Sequence, residues 1–233
     1  MTIAAETAPR AWSPLDYRER RVVGVLVEKQ KTTPENYPLS IAAIVTGSNQ
    51  KSNRDPITTF DADDVEEILA TLRQKGTAVL VEGSGRVPKW KHAMYDWLDL
   101  RGKPVEMAIL AELLLRGSQT EGDLRARAAR MDPIADLSAL QGHLATLSAR
   151  GLVLTLTPPG LRRGVVVTHG LYPPAELERE RHKALSAAAA EADEPRAATT
   201  PADGSLRAEV EALRLKVDAM AAEIRSLREM LGG

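Results

Sequence analysis

The residues of this chain whose types and spacing could do chemistry are basic, and the chemistry is contact with phosphate. Arg125, Arg127 and Arg130 lie close together on a stretch of helical pattern, with Arg116 a short way upstream. A second set falls on stretches that read as β-hairpins: Arg86, Lys89 and Lys91 in one, Arg162 and Arg163 in another. Cations on hairpins beside a basic helix can hold a nucleic-acid backbone, because phosphate contacts position a protein without reading bases. The competing reading is a solvated helix face laced with ion pairs. A third candidate is the polar loop Asn49 to Pro56, together with Tyr37. Asn49, Lys51, Asn53 and Arg54 could hold a phosphate or a partner's carboxylate, or Asn49, Asn53 and Asp55 could bond the loop's own backbone.

Signatures of catalysis are missing from the sequence. His92, His143, His169 and His182 are scattered, without metal-ligand spacing. There is no cysteine, which excludes disulfides, thiolate metal sites and a Cys nucleophile. No nucleophile elbow, P-loop or dinucleotide fingerprint occurs. Gly83-Ser84-Gly85 resembles part of a glycine fingerprint, but it falls in a hairpin turn. The expectation is a non-enzymatic protein with no cofactor and no metal.

Composition bounds the partners. The 233 residues carry a net charge of −1, with 22 basic against 20 acidic residues in 1–172 and 9 against 12 in 173–233. No segment is strongly basic, which argues against a high-affinity nucleic-acid binder. The first residues include an acid and no apolar core, so they do not read as a signal peptide. No apolar run approaches the roughly 20 residues that cross a bilayer. A cytoplasmic protein without membrane contact is expected.

The elements that must position the basic residues are written twice. LATLRQKG at Leu69 to Gly76 returns as LATLSARG at Leu144 to Gly151, seventy-five positions later. Val65, Ile68, Leu69 and Leu72 fall on one helix face, and so do Leu137, Leu140, Leu144 and Leu147. Gly76 and Gly151 stand where a left-handed residue ends a helix at least cost. Short β-type runs follow each: 77–81 and 87–92 in the first copy, 152–156 and 165–168 in the second. Upstream, Ser13-Pro14 reads as the cap of a helix reaching about Lys29, Thr33 as a second cap, Leu39 to Val45 as a short helix and Asp61 as the cap of the first repeat helix. In the second copy Thr120 caps a short helix, Asp123 to Met131. Pairing Thr33 with Thr120 puts about twelve extra residues in the first copy, in the loop 49–60. The order of three helices and a hairpin is the winged-helix pattern.

The tail is a heptad repeat. Leu206, Leu213, Met220 and Leu227 occupy d, and Val210, Val217, Ile224 and Leu231 occupy a. β-branched residues at a with Leu at d favour a parallel homodimer, in which Glu209 faces Arg214 and Glu223 faces Arg228 of the other copy. The alternative is an amphipathic helix packed on its own chain or on another protein.

Several strings together bring out a resemblance. They are Arg21 to Leu26, Glu28-Lys29, Thr32 to Ser40, Asn49 to Pro56, Gly83 to Val87, Leu115 to Thr120 and Leu124 to Met131. Over about residues 17–170 the chain resembles the YceH-like family of uncharacterised bacterial proteins. The resemblance implies tandem winged-helix domains and a C-terminal coiled coil, in agreement with the repeat and the heptads, and it implies no function.

The expected fold is therefore mainly α with small β-hairpins, an α+β class. It comprises a disordered arm (1–12), winged-helix domains at 13–98 and 99–172, a helix-competent then flexible linker (173–204) and a coiled coil (205–231). The expected role is DNA-associated or regulatory, on double-stranded DNA, with a protein-interaction adaptor as the alternative. The first turn of the repeat helix in the first copy, Asp61 to Glu67, is acidic and would repel phosphate, which counts against base readout there.

Overall fold

A computed structural model of the protein describes residues 12–81, 87–158 and 164–193, with side chains described as far as residue 186. The fold is α+β and mostly helical, with two three-stranded antiparallel sheets among the described residues. The first repeat contains α1 (Tyr17–Thr32), β1 (Leu39–Ser40), α2 (Ile41–Ser48), α3 (Ala62–Gln74), β2 (Ala78–Val81) and β3 (Lys89–His92). A short α4 (Met94–Trp97) leads into the second: α5 (Pro104–Arg116), β4 (Gln119–Thr120), α6 (Glu121–Ala128), α7 (Leu137–Ala149), β5 (Val153–Thr155) and β6 (Val166–His169). Helix α8 (Pro174–Asp193) follows. The strand orders match, β1-β3-β2 and β4-β6-β5, and so does the register, with Ala78 opposite His92 and Val153 opposite His169.

Local chemistry accounts for most element ends. Asp61 accepts from the Asp64 amide while Asp64 accepts from the Asp61 amide, a full capping box that starts α3. Asp136 caps α7 through the Ala139 amide, and Thr120 caps α6 through the Asp123 amide. Gly76 and Gly151 adopt φ of 76° and 69°, where a side chain would be strained, and end the two repeat helices. The cap of α1 is corrected: it is Asp16, in a capping box with Glu19, and the helix runs on to Thr32.

The alignment of the repeats is corrected too. The partner of Thr120 is Ser40, which caps α2 from the end of β1 as Thr120 caps α6 from the end of β4. Thr33 instead precedes a 3-10 turn (Pro34–Asn36) and makes no side-chain cap. The first repeat therefore has 13 residues between α2 and α3 (49–61), against 8 between α6 and α7 (129–136), an excess of five rather than twelve. Leu137, assigned above to the apolar face of its helix, is 43% exposed at the first turn of α7.

The two repeats share one core. Helix α1 is buried without interruption from Glu19 to Val27, and α5 from Glu106 to Leu115. They meet at Gly24, where a Cβ would lie 3.0 Å from the Leu115 side chain. Residues between the repeats belong to this core as well: Met94, Leu98 and Leu100 are fully buried. The Leu15 amide donates to the Leu171 carbonyl at 2.8 Å, and Arg20 pairs with Glu176 at 2.6 Å, so the end of the second repeat closes on the start of the first. These elements form one compact unit that ends near Ala188. Of the following unit, Ala189–Gly233, only the end of α8 is described. The expected arm up to residue 11, the linker from 194 and the heptads 206–231 lie outside the described residues. No helix among the described residues is long and apolar enough to cross a membrane.

Candidate functional site

Three of the arginines singled out in the sequence, Arg116, Arg127 and Arg130, gather around a carboxylate of their own chain. Glu112, in the middle of α5, has a side chain only 2% exposed. Arg116, one turn on, places Nε 3.2 Å from Glu112 Oε1, and Arg130 places Nη2 3.8 Å from Oε2. Arg116 also donates to Asn53 Oδ1, across the junction between the repeats. Arg127 donates to Gln119 Oε1 at 2.6 Å and lies 3.7 Å from Asp123, while Arg125 reaches the Ile134 carbonyl at 3.4 Å. Burial pushes the Glu112 carboxyl up and Arg116 down, and the neighbouring opposite charges act against both shifts. The cluster is thus an ion-pair network at the junction, with Arg130 half-exposed at its rim.

The polar loop is divided between structure and solvent. Arg54 is buried and its guanidinium is fully engaged. It meets Glu28 through two hydrogen bonds and donates to the carbonyls of Gly47 and Asn53 and to Gln50 Oε1. Asn49 closes the loop by donating to the Phe60 carbonyl at 2.7 Å and accepting the Phe60 amide at 2.8 Å. Asn53 holds a φ of 59° and accepts from Arg116. Arg21, pushed down to about 10 chiefly by burial, ties the loop to α1 through the Ser48 and Pro56 carbonyls. Lys51 alone among the candidate cations of this loop is exposed with no ion-pair partner among the described residues.

On the first sheet, alternation decides the roles. Along β3, Lys89 and Lys91 face solvent while Trp90 and His92 face the core. Neither lysine has an ion-pair partner among the described residues. Val79, opposite Lys91, is 39% exposed and extends the same face. Arg86, Arg162 and Arg163 lie outside the described residues. Helix α3 presents Asp63, Glu66 and Glu67 outward, with Arg18 bridging Asp64 and Glu67. The outward face of α7 is uncharged: Ser138, Gln141, Ala145, Thr146 and Ser148.

Residues 15–160 match the family described as "Protein of unknown function, DUF480". The chain belongs to the DUF480 family. A UPF0502 protein of Rhodopirellula baltica is 49% identical over 173 residues, 74% of this chain and 71% of that relative. One of Geotalea uraniireducens is 42% identical over 220 residues, covering 94% and 89% of the two chains. One of Cronobacter sakazakii is 37% identical over 217 residues, 91% and 92%. The YceH-like resemblance is consistent with this family.

In this DUF480 chain a further repeat escaped the sequence reading. His92-Ala93-Met94-Tyr95 returns as His169-Gly170-Leu171-Tyr172, at the end of the central strand of each sheet. In both, the His Nδ1 accepts the amide two residues on, Met94 or Leu171, at 3.2 Å. His92 Nε2 then donates to Gln30 Oε1 at 2.6 Å, and Tyr37 Oη accepts the His92 amide. His169 stacks on Tyr172 at 3.9 Å, and the Arg20 guanidinium lies over the Tyr172 ring at 4.5 Å. Burial lowers His92 to about 4, takes His169 well below its ordinary value and raises Tyr37. Both histidines are buried in the core, which favours their neutral form. The signal is the repeated His-x-x-Tyr spacing, His92 with Tyr95 and His169 with Tyr172. His143 pairs with Glu106 at 3.2 Å.

Proposed function

We propose that this protein is a tandem winged-helix factor associated with double-stranded DNA, acting without catalysis and dimerised through its heptad tail. The carrying observation is the outward lysine pair, Lys89 and Lys91, on the central strand of the first sheet. Ammonium groups two positions apart on a strand share one face, so both can contact the same phosphate backbone. Arg127 and Arg130 add partly exposed cations on the second repeat. Arg54 and Arg116 drop out of the contact set, because internal partners hold them. Pairing of two copies through Val210, Val217 and Ile224 would raise the effective concentration of the second body on DNA.

The test is fluorescence anisotropy of labelled random-sequence duplex across a salt series. Binding should weaken steeply with salt, and Lys89→Ala with Lys91→Ala should lower the log–log slope by about 2. Val217→Asp in the full chain should weaken binding and halve the mass measured in sedimentation.

The uncharged outward face of α7 favours a second reading, a protein-interaction adaptor. No binding to duplex at low salt would decide for the adaptor.

A further inference from the structure

A cleft of about 580 Å³ opens between the two repeats. Its walls come from α1, the loop after α2, α5 and the segment after α6. The volume is in the range of small-molecule sites. Among its charged groups, Glu28 is neutralised by Arg54 behind it. Glu112 faces Arg116 and Arg130. Lys29 and Lys51 line the cleft with no ion-pair partner among the described residues, and Arg130 contributes a half-exposed guanidinium. The surplus is cationic and distributed around one opening.

Glu112 belongs to the wall: it is 2% exposed, and its Oε1 lies 3.2 Å from Arg116 Nε, so its charge is met from within the protein. The remaining lining is Thr32, Gln50, Ser52, Asn53 and Met131. Hydroxyls and amides suit a polyhydroxylated ligand, and no aromatic ring is present on which a nucleobase could stack.

We propose that this cleft binds a small phosphorylated polyol, with its phosphate among Lys29, Lys51 and Arg130 and its hydroxyls against Gln50, Ser52 and Asn53. Lys51 belongs to the first repeat and Arg130 to the second, so the bound ligand ties the repeats together and serves as an effector. The proposal is independent of the DNA reading, and its test uses no DNA.

The experiment is isothermal titration calorimetry on the full chain with glucose 6-phosphate and with glycerol 3-phosphate, against glucose and inorganic phosphate. At least one sugar phosphate should bind saturably, inorganic phosphate more weakly by about tenfold, and glucose not at all. Lys51→Ala should weaken binding by about tenfold, the loss of one charge-assisted contact, with an unchanged Tm because Lys51 is exposed. Lys29→Ala should weaken it as well. Absence of saturable binding by both sugar phosphates, binding unaltered in Lys51→Ala, or inorganic phosphate binding as tightly as both would each overturn the proposal.

Discussion

The guanidinium of Arg54 meets the carboxylate of Glu28 head-on, Nη1 to Oε1 at 3.2 Å and Nη2 to Oε2 at 2.5 Å, with the arginine side chain fully buried. Removing one member of such a pair leaves the other charge buried. Arg54→Ala should therefore cost about 3–5 kcal/mol in urea unfolding. Arg54→Lys should not rescue it, because an ammonium cannot reproduce the fork or reach Gly47 and Gln50 together. In the double variant with Glu28→Gln the losses should add to less than their sum.

Stability should fall on acidification through the range set by the strand-end histidines. His92 titrates near 4 in the folded chain against an ordinary value of 6.5. The unfolded chain binds the extra proton first, so stability is complete above about pH 6.5 and is lost as pH falls toward 4. The loss from His92 is at most about 3 kcal/mol, and His169 acts in the same direction. Urea midpoints measured across this range should show the slope, and His92→Gln should flatten it by up to one proton.

The crossing of α1 and α5 can be probed at Gly24. Gly24→Ala should be near neutral, since about 1 kcal/mol of helix propensity offsets a methyl pressed 3.0 Å from Leu115. Gly24→Leu should cost about 3 kcal/mol or more by overpacking, read as a lowered Tm.

Charge on α3 should tune DNA affinity if the DNA reading holds. Asp63 and Glu66 face outward and have no ion-pair partner among the described residues, unlike Asp64 and Glu67. Asp63→Asn and Glu66→Gln should each tighten duplex binding by roughly 0.5–1 kcal/mol, measured by anisotropy at low salt.

What could be read from the sequence was local. Asp61 and Thr120 announce helix starts, and Gly76 and Gly151 announce stops, because caps and positive φ depend on a few neighbouring residues. Ser40 was passed over because its two-residue strand has no pattern of its own; only pairing with Lys89, far along the chain, makes it one. Which candidate cations stay exposed is likewise decided by distant residues. Lys51 and Arg54 stand three positions apart with the same charge, yet one is exposed and the other buried. What separates them is Glu28, which lies 26 positions upstream. Arg116 has a local partner in Glu112, four positions before it, and a distant one in Asn53, 63 positions away.

Helix α1 has no solvent face along its middle, from Glu19 to Val27, because both repeats lie against it. Cutting the chain after the first repeat would strip one side of that helix and leave Val23, Gly24 and Val27 in water. A half-molecule of this kind has two ways out, aggregation or exchange of α5 with a second copy. The duplicated unit has lost the autonomy that its two copies advertise, and in a cell the chain would be exposed to proteases and chaperones until the second copy has been synthesised.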